Sequence, residues 1–134
     1  MKILENMARS CRRGPDAWFS GEVWLDLVTK PESPSHLEAV LVTFTPGART
    51  AWHTHPVGQT LYVVAGVGWV QRKGETAQAI RPGDVVLFAP GEVHWHGAEA
   101  GHTLVHLAMQ ESDAEGQNAV WGEKVTDAEY GAAR

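Results

Sequence analysis

Apolar and polar residues alternate in short blocks along most of this chain, and turn-forming residues separate the blocks at regular intervals. That is the pattern of an all-β sandwich or barrel. Residues 23–28 read as a first strand, closed by Pro31-Glu32-Ser33-Pro34, and residues 36–45 as a longer one ending at Pro46-Gly47. Strands at 49–55 and 59–65 follow, the second ending in Gly66-Val67-Gly68. Residues 69–73 and 77–80 flank Gly74 as a hairpin. Arg81-Pro82-Gly83-Asp84 is a tight-turn sequence, in which proline presets φ and glycine is free to take positive φ. Strands at 85–88, 94–97 and 103–110 complete the set. Only the tail, 126–133, reads as helix, because Thr126 and Glu129 have the spacing of a capping box. No linker, low-complexity stretch or second domain interrupts the pattern.

Parity then predicts which side chains share a face, since successive strand residues point to opposite sides. Val40, Val42 and Phe44 fall together, as do Ala51, His53 and His55. On the late strand Leu104, His106, Ala108 and Gln110 share one face, and Thr103, Val105, Leu107 and Met109 the other. Both faces are largely apolar, as expected when one lines a barrel and the other packs against a second layer.

With 134 residues, 43% hydrophobic and 20% charged, the chain suits one domain over 1–134, with a core barrel at about 36–110. The net charge of −5 argues against nucleic acid as a partner. Arg9, Arg12 and Arg13 form the one basic cluster, read as a solvated N-terminal arm. No apolar run is long enough to span a bilayer and no signal-peptide pattern is present, so no membrane partner is expected. The single cysteine, Cys11, cannot form an intramolecular disulfide, which makes a reducing cytoplasm the default location. Beside Arg12 and Arg13 it has no partner base, and a catalytic role is not expected of it.

The residues that carry chemistry are His53, His55, Gln59 and His94. His53 and His55 stand at i and i+2 on one strand face. Gln59 follows across a turn marked by Pro56 and Gly58, and His94 follows Ala89-Pro90-Gly91. A lone histidine on an apolar strand is ordinarily a hydrogen-bonded core residue. Three imidazoles and one amide oxygen converging inside a small barrel instead make a metal site.

These two turn-bounded blocks resemble the two cupin motifs. Gly47-x5-His53-x-His55-x3-Gln59-x6-Gly66 is similar to the first, in which two histidines and a glutamate bind metal, and Gly83-Asp84-x4-Ala89-Pro90-Gly91-x2-His94 to the second, which supplies a third histidine. The chain departs from the pattern at Gln59, which replaces the glutamate, at Ala89, where the motif has its proline, and at Ala98, in place of a closing asparagine. The resemblance implies a single-domain, jelly-roll type β-barrel with a short C-terminal tail. PGARTAWHTHPVGQTLYVVAG, RPGDVVLFAPGEVHWHGA, the late strand through Gln110 and the tail from Trp121 to Tyr130 are similar to the small bacterial manganese-dependent cupin hydroxynitrile lyases. That group uses three histidines and one glutamine. Metal cupins associated by name with carboxymuconolactone decarboxylases lie in the same sequence neighbourhood.

Imidazole suits several first-row metals, and oxygen donors shift preference toward harder ions such as manganese. Spacing does not separate Mn2+ from Fe2+, Zn2+ or Ni2+; manganese is what the resemblance implies. Glutamine in place of glutamate removes one negative charge, so a divalent ion keeps its full charge as a Lewis acid, and dioxygen chemistry is disfavoured. His96 shares parity with His94, and His106 lies across the barrel. In the cleavage of an (R)-cyanohydrin to a carbonyl compound and HCN, His106 is expected to take the hydroxyl proton. His96 would orient the substrate, protonate the departing cyanide, or only support the ligands. The expected pocket wall is Val40, Val42, Phe44, Thr50, Tyr62, Leu104, Ala108 and Gln110, although strict alternation places Thr50 opposite His53. His36 and His102 read as surface residues, and Trp69 and Trp95 as barrel packing or a subunit face. The partners expected are a small-molecule substrate and further copies of the chain, as a dimer or tetramer. Two other readings remain: a metal-dependent cupin dioxygenase or oxidoreductase, and a non-catalytic small-molecule-binding cupin.

Overall fold

The alternating segments pair into two antiparallel sheets in the computed structural model, which describes residues 1–133. In chain order the strands are β1 (Arg12–Arg13), β2 (Phe19–Ser20), β3 (Val23–Thr29), β4 (Leu37–Phe44), β5 (Arg49–Thr50), β6 (His53–Thr54), β7 (Gln59–Gly66) and β8 (Gly68–Arg72). They continue with β9 (Gln78–Ile80), β10 (Val85–Phe88), β11 (His94–Ala98), β12 (Leu104–Glu111) and β13 (Val120–Trp121), and helix α1 (Asp127–Ala132) follows. One sheet runs β1-β3-β4-β12-β7-β10; the other runs β13-β6-β11-β5-β2, with β8 also on β11 and β9 on β8.

β12 lies in the middle of the first sheet, and its alternation is the expected one. Leu104, His106, Ala108 and Gln110 are buried, while Val105, Leu107 and Met109 are half-buried. Phe44, Leu61, Val63 and Leu104 fill the interior between the sheets. Register then places polar residues opposite one another. Gln110 stands across from Glu38 on β4 and from Gln59 on β7. His53 stands across from His94 on β11 and Trp121 on β13.

The tail docks on the outside of the second sheet, where Val125 and Tyr130 pack with Trp52 and Trp95. Buried Arg49 holds it by donating to the Val125 carbonyl from Nε and Nη2, at 3.1 and 2.8 Å. Its guanidinium also lies 4.6 Å from the Tyr130 ring centroid. Thr126 and Glu129 make both hydrogen bonds of the capping box.

The structure departs from the sequence expectation along 49–55 and in three short strands, β1, β2 and β13. The strand at 49–55 is not continuous: the Ala51 and Trp52 amides leave the ladder to donate to the carbonyls of Trp18 and Glu123, splitting it into β5 and β6. The N-terminal arm is paired to β3 as β1, and Arg9 forms an ion pair with Asp26 at 3.3 Å, although Arg12 and Arg13 remain exposed. The tail also returns a two-residue strand, β13, to β6. Cys11 is free and exposed.

Two turns that precede the polar residues are pinned together. The His55 carbonyl accepts from the amides of both Gly58 and Gly91, each at 3.1 Å. Gly58 has φ +84°, and a Cβ there would lie 2.7 Å from the Phe88 carbonyl oxygen. Gly58→Ala should therefore cost about 1–2 kcal/mol from left-handed strain alone, and more from the contact with Phe88, read as a lower denaturation midpoint with unchanged far-UV circular dichroism. A midpoint equal to the parent's would mean that the turn remodels freely.

Candidate metal centre

Register and parity gather five imidazoles at one end of the barrel. The ring centroids of His53 and His94 are 4.3 Å apart. His55 stands 5.0 Å from His53 and 5.5 Å from His94. His96, two residues beyond His94 on the same face, lies 5.2 Å from His53 and 4.7 Å from His106. Among the described residues, the side chains that bring ligand atoms within 4.8 Å of one another are His53, His94 and His96. His55 falls outside that trio, beside His53 and His94, and Gln59 Oε1 lies 3.2 Å from His94 Nε2. Phe88 stacks on the His94 ring at 3.6 Å and Trp121 on the His53 ring at 4.5 Å, which holds both planes.

Hydrogen bonding fixes the tautomers of three rings. His53 Nδ1 lies 2.9 Å from the Ala51 carbonyl, His94 Nδ1 2.8 Å from that of Glu92, and His55 Nδ1 2.6 Å from that of Asn118. A carbonyl only accepts, so each Nδ1 carries the proton and each Nε2 presents a lone pair. The 3.2 Å approach of His94 Nε2 to Gln59 Oε1 is thus a meeting of two acceptors. His55 Nε2 is buried and has no hydrogen-bond partner among the described residues. Such a group of converging, unprotonated acceptors fits a cation.

His96 and His106 are anchored differently. Their rings share a contact of 2.9 Å, His106 Nε2 to His96 Nδ1, which holds one proton between them. His96 Nε2 and His106 Nδ1 are buried without other partners among the described residues. Burial pushes His94 and His106 down to about 4. Burial and neighbouring rings hold His53 and His96 well below the ordinary imidazole value. His55 is lowered by burial, against the pull of the Asn118 carbonyl and Gln59.

A cavity of about 230 Å³ opens onto three of these rings, with His94 and His106 off its wall. His53, His55, Gln59 and His96 form its polar floor, and Leu25, Leu27 and the aromatic rings of Trp18, Phe19 and Trp121 part of its walls. Of the expected wall, Val40, Val42, Thr50, Ala108 and Gln110 line it. Thr50 reaches it because the break at Ala51 and Trp52 resets parity, and its Oγ1 accepts from the His96 amide at 3.2 Å. Phe44 and Leu104 do not line it; both are core residues, and Phe44 packs against the His96 and His106 rings. Tyr62 points outward and is 46% exposed, because inward Gln59 sets Leu61 and Val63 inward and Tyr62 out. His106 is fully enclosed behind His96 and is not on the cavity wall. Glu38, Asn118 and Trp121 are lining residues that the sequence reading missed. Extending the parity of Val40 and Val42 back by two residues points to Glu38. His36 and His102 lie on the surface, and no helix among the described residues is long and apolar enough to cross a membrane.

Residues 40–109 match the model of the Cupin domain. Over 97% of its length the chain is 48% identical to an (R)-mandelonitrile lyase of Granulicella tundricola, covering 98% of that protein. A cupin-like protein of Thermotoga maritima superposes with a TM-score of 0.87 at 37% identity, over 99% of this chain and 97% of the other. The polyketide cyclase RemF of Streptomyces resistomycificus, at 15% identity, shares the fold with a TM-score of 0.74 over 97% of this chain and 90% of its own.

The buried rings carry a pH signature. In the unfolded chain a histidine takes up a proton below about pH 6.5, whereas His94 and His106 do so in the folded chain only near 4. Their depressed values leave stability intact above pH 6.5 and remove it as pH falls toward 4. In metal-stripped protein the denaturation free energy should fall across that window, by up to about 1.4 kcal/mol per pH unit for each ring. Urea midpoints measured from pH 8 to 4.5 check this, and a flat profile would mean that the rings protonate without unfolding.

Proposed function

The chain belongs to the cupin family, and we propose that it is a metal-dependent hydroxynitrile lyase, cleaving (R)-cyanohydrins reversibly to an aldehyde or ketone and HCN. The observation that carries this reading is a set of wholly neutral donors beside a separate proton-sharing pair. The Nδ1 contacts of His53, His55 and His94 leave each of these rings an Nε2 lone pair, and Gln59 brings its Oε1 to within 3.2 Å of His94 Nε2. His96, backed by His106, presents an unpartnered nitrogen at the cavity. The similarity to an (R)-mandelonitrile lyase supports the same reading and its enantiopreference.

His53, His55, Gln59 and His94 would hold the ion. Using His96 in place of His55, as the tighter trio allows, would leave His55 Nε2 orphaned and remove the ring that faces the cavity beside His106. A divalent ion, manganese in this proposal, supplies Lewis acidity to the substrate oxygen when bound, and four neutral donors leave its charge undiminished. The His96–His106 pair takes the hydroxyl proton at His96 Nε2. The bond between the carbinol carbon and the nitrile carbon breaks, its electron pair leaving with cyanide, while the C–O bond becomes the carbonyl. His96 then returns the proton to cyanide, which leaves as HCN. His106, enclosed behind His96, positions the ring and shares the proton. This places the cavity-facing nitrogen on His96 rather than on His106. Val40, Val42 and Ala108 are small enough to leave room for an aryl or alkyl substituent.

Purified protein should contain a divalent metal by elemental analysis and should release cyanide from (R)-mandelonitrile faster than from the (S)-enantiomer. Chelation should abolish the release, and Mn2+ should restore it. His96→Ala should lower kcat by about 10²–10⁴-fold. His106→Ala should lower it as well, and should also move the acid limb of the pH–rate profile to higher pH, because the neighbouring ring that helps hold His96 below the ordinary imidazole value is gone. Release no faster than the solution rate, or unaffected by chelation, sinks the lyase reading. Oxygen consumption by the iron-loaded protein would favour a dioxygenase, and metal binding without turnover a ligand-binding cupin.

A further inference from the structure

Glu38 is absent from the donor set and the proton-sharing pair, yet it ends two hydrogen-bonded chains that run to the proposed ligands. Its Oε1 accepts from Gln110 Nε2 at 2.8 Å, and Gln110 Oε1 accepts from Gln59 Nε2 at 3.0 Å. Its Oε2 accepts from Asn118 Nδ2 at 3.0 Å, and the Asn118 backbone carbonyl accepts from His55 Nδ1 at 2.6 Å. We infer that Glu38 is a positioning residue whose acceptor-only carboxylate orients Gln110, and through it Gln59, so that Gln59 turns its oxygen to the metal space; the inference rests on the metal site proposed above.

The argument is one of direction. A carboxylate only accepts, so Gln110 must face it with its amide nitrogen and must turn its oxygen to Gln59. Gln59 then has to donate to Gln110, which leaves Oε1 for His94 and the space beyond. Register builds this row, since Glu38, Gln110 and Gln59 stand directly opposite one another on β4, β12 and β7. Without Glu38 both amides are free to rotate by half a turn. Gln59 would then donate Nε2–H to the His94 Nε2 lone pair, a self-satisfied arrangement that offers a cation no oxygen and covers a second ligand. The Asn118 arm adds to this by tying the loop that orients His55 to the same carboxylate.

The test titrates metal-stripped protein with Mn2+ alone, by calorimetry and by electron paramagnetic resonance of the free and bound ion. Glu38→Met keeps the length and removes the acceptors; Glu38→Ala is the smaller alternative should the first misfold, and a thermal melt checks each. Either should weaken Mn2+ binding by about 10–100-fold and change the spectrum of the bound ion. Glu38→Gln keeps an acceptor without charge and should recover part of the loss. In a Gln59→Glu background, where both terminal atoms are oxygens and no amide can turn the wrong way, Glu38→Met should not weaken the affinity by more than about twofold. Wild-type affinity in both Glu38→Met and Glu38→Ala overturns the inference. So does an equal loss in the parent and the Gln59→Glu backgrounds, which would indicate through-space attraction by charge. A wild-type protein that binds no Mn2+ overturns the metal site itself, a result distinct from either.

Discussion

A backbone carbonyl accepts hydrogen bonds and never donates them, and the candidate site depends on that one-way property. The carbonyls of Ala51, Glu92 and Asn118 take the Nδ1 protons of His53, His94 and His55. Two of the three lie two residues before the ring they hold, so an extended backbone orients its own histidine twice over. Each ring is then obliged to show a lone pair at Nε2, in surroundings where burial makes protonation unfavourable. A buried acceptor without a partner costs about 1–3 kcal/mol, and here several converge with no donor between them. A cation answers all of them together, whereas water satisfies at most two with its hydrogens.

Strand register is what converts this local device into a site. The second sheet sets His53 opposite His94, and the first sets Glu38, Gln110 and Gln59 in one row. The imidazoles of His53 and His94 thus come from one sheet and the directional amides of Gln59 and Gln110 from the other, and they meet where Gln59 reaches His94. A slip of one residue on β12 would turn Gln110 outward and His106 with it. Apolar residues at Leu104 and Ala108 on the same strand hold the register against such a slip.

Much of this was legible in the sequence because strand parity is strict where strands are regular. β4, β7, β10 and β12 lie close to their expected bounds, and the inward sets Val40, Val42, Phe44 and Leu104, His106, Ala108 follow from alternation. Legibility failed where backbone amides leave the ladder. The break at Ala51 and Trp52 brought Thr50 inward, against simple alternation. Tyr62 was a different case, since counting from Gln59 already points it outward. The short strands at Arg12–Arg13, Phe19–Ser20 and Val120–Trp121 carry too few residues for a period, and only long-range pairing defines them. Depth was also hidden: parity makes His96 and His106 equally inward, and only packing puts one at the cavity and the other behind it.

That depth bears on how the two halves of the site depend on each other under the lyase reading. Burial holds His96 well below the ordinary imidazole value, so the ring is neutral and able to accept a proton, but it is a weak base. Proton transfer from an alcohol to so weak a base is strongly uphill unless the hydroxyl is acidified, and acidifying a bound oxygen is what a divalent ion offers. A carboxylate in place of Gln59 would offset part of the ion's charge and with it part of that acidification. The same weak basicity helps the second half of the reaction, because a ring that binds its proton loosely returns it readily to departing cyanide. The neutral donor set and the low basicity of His96 are therefore one arrangement. Each would be a poor choice without the other, and both follow from burying imidazoles where only carbonyls, amides and one another can hold them.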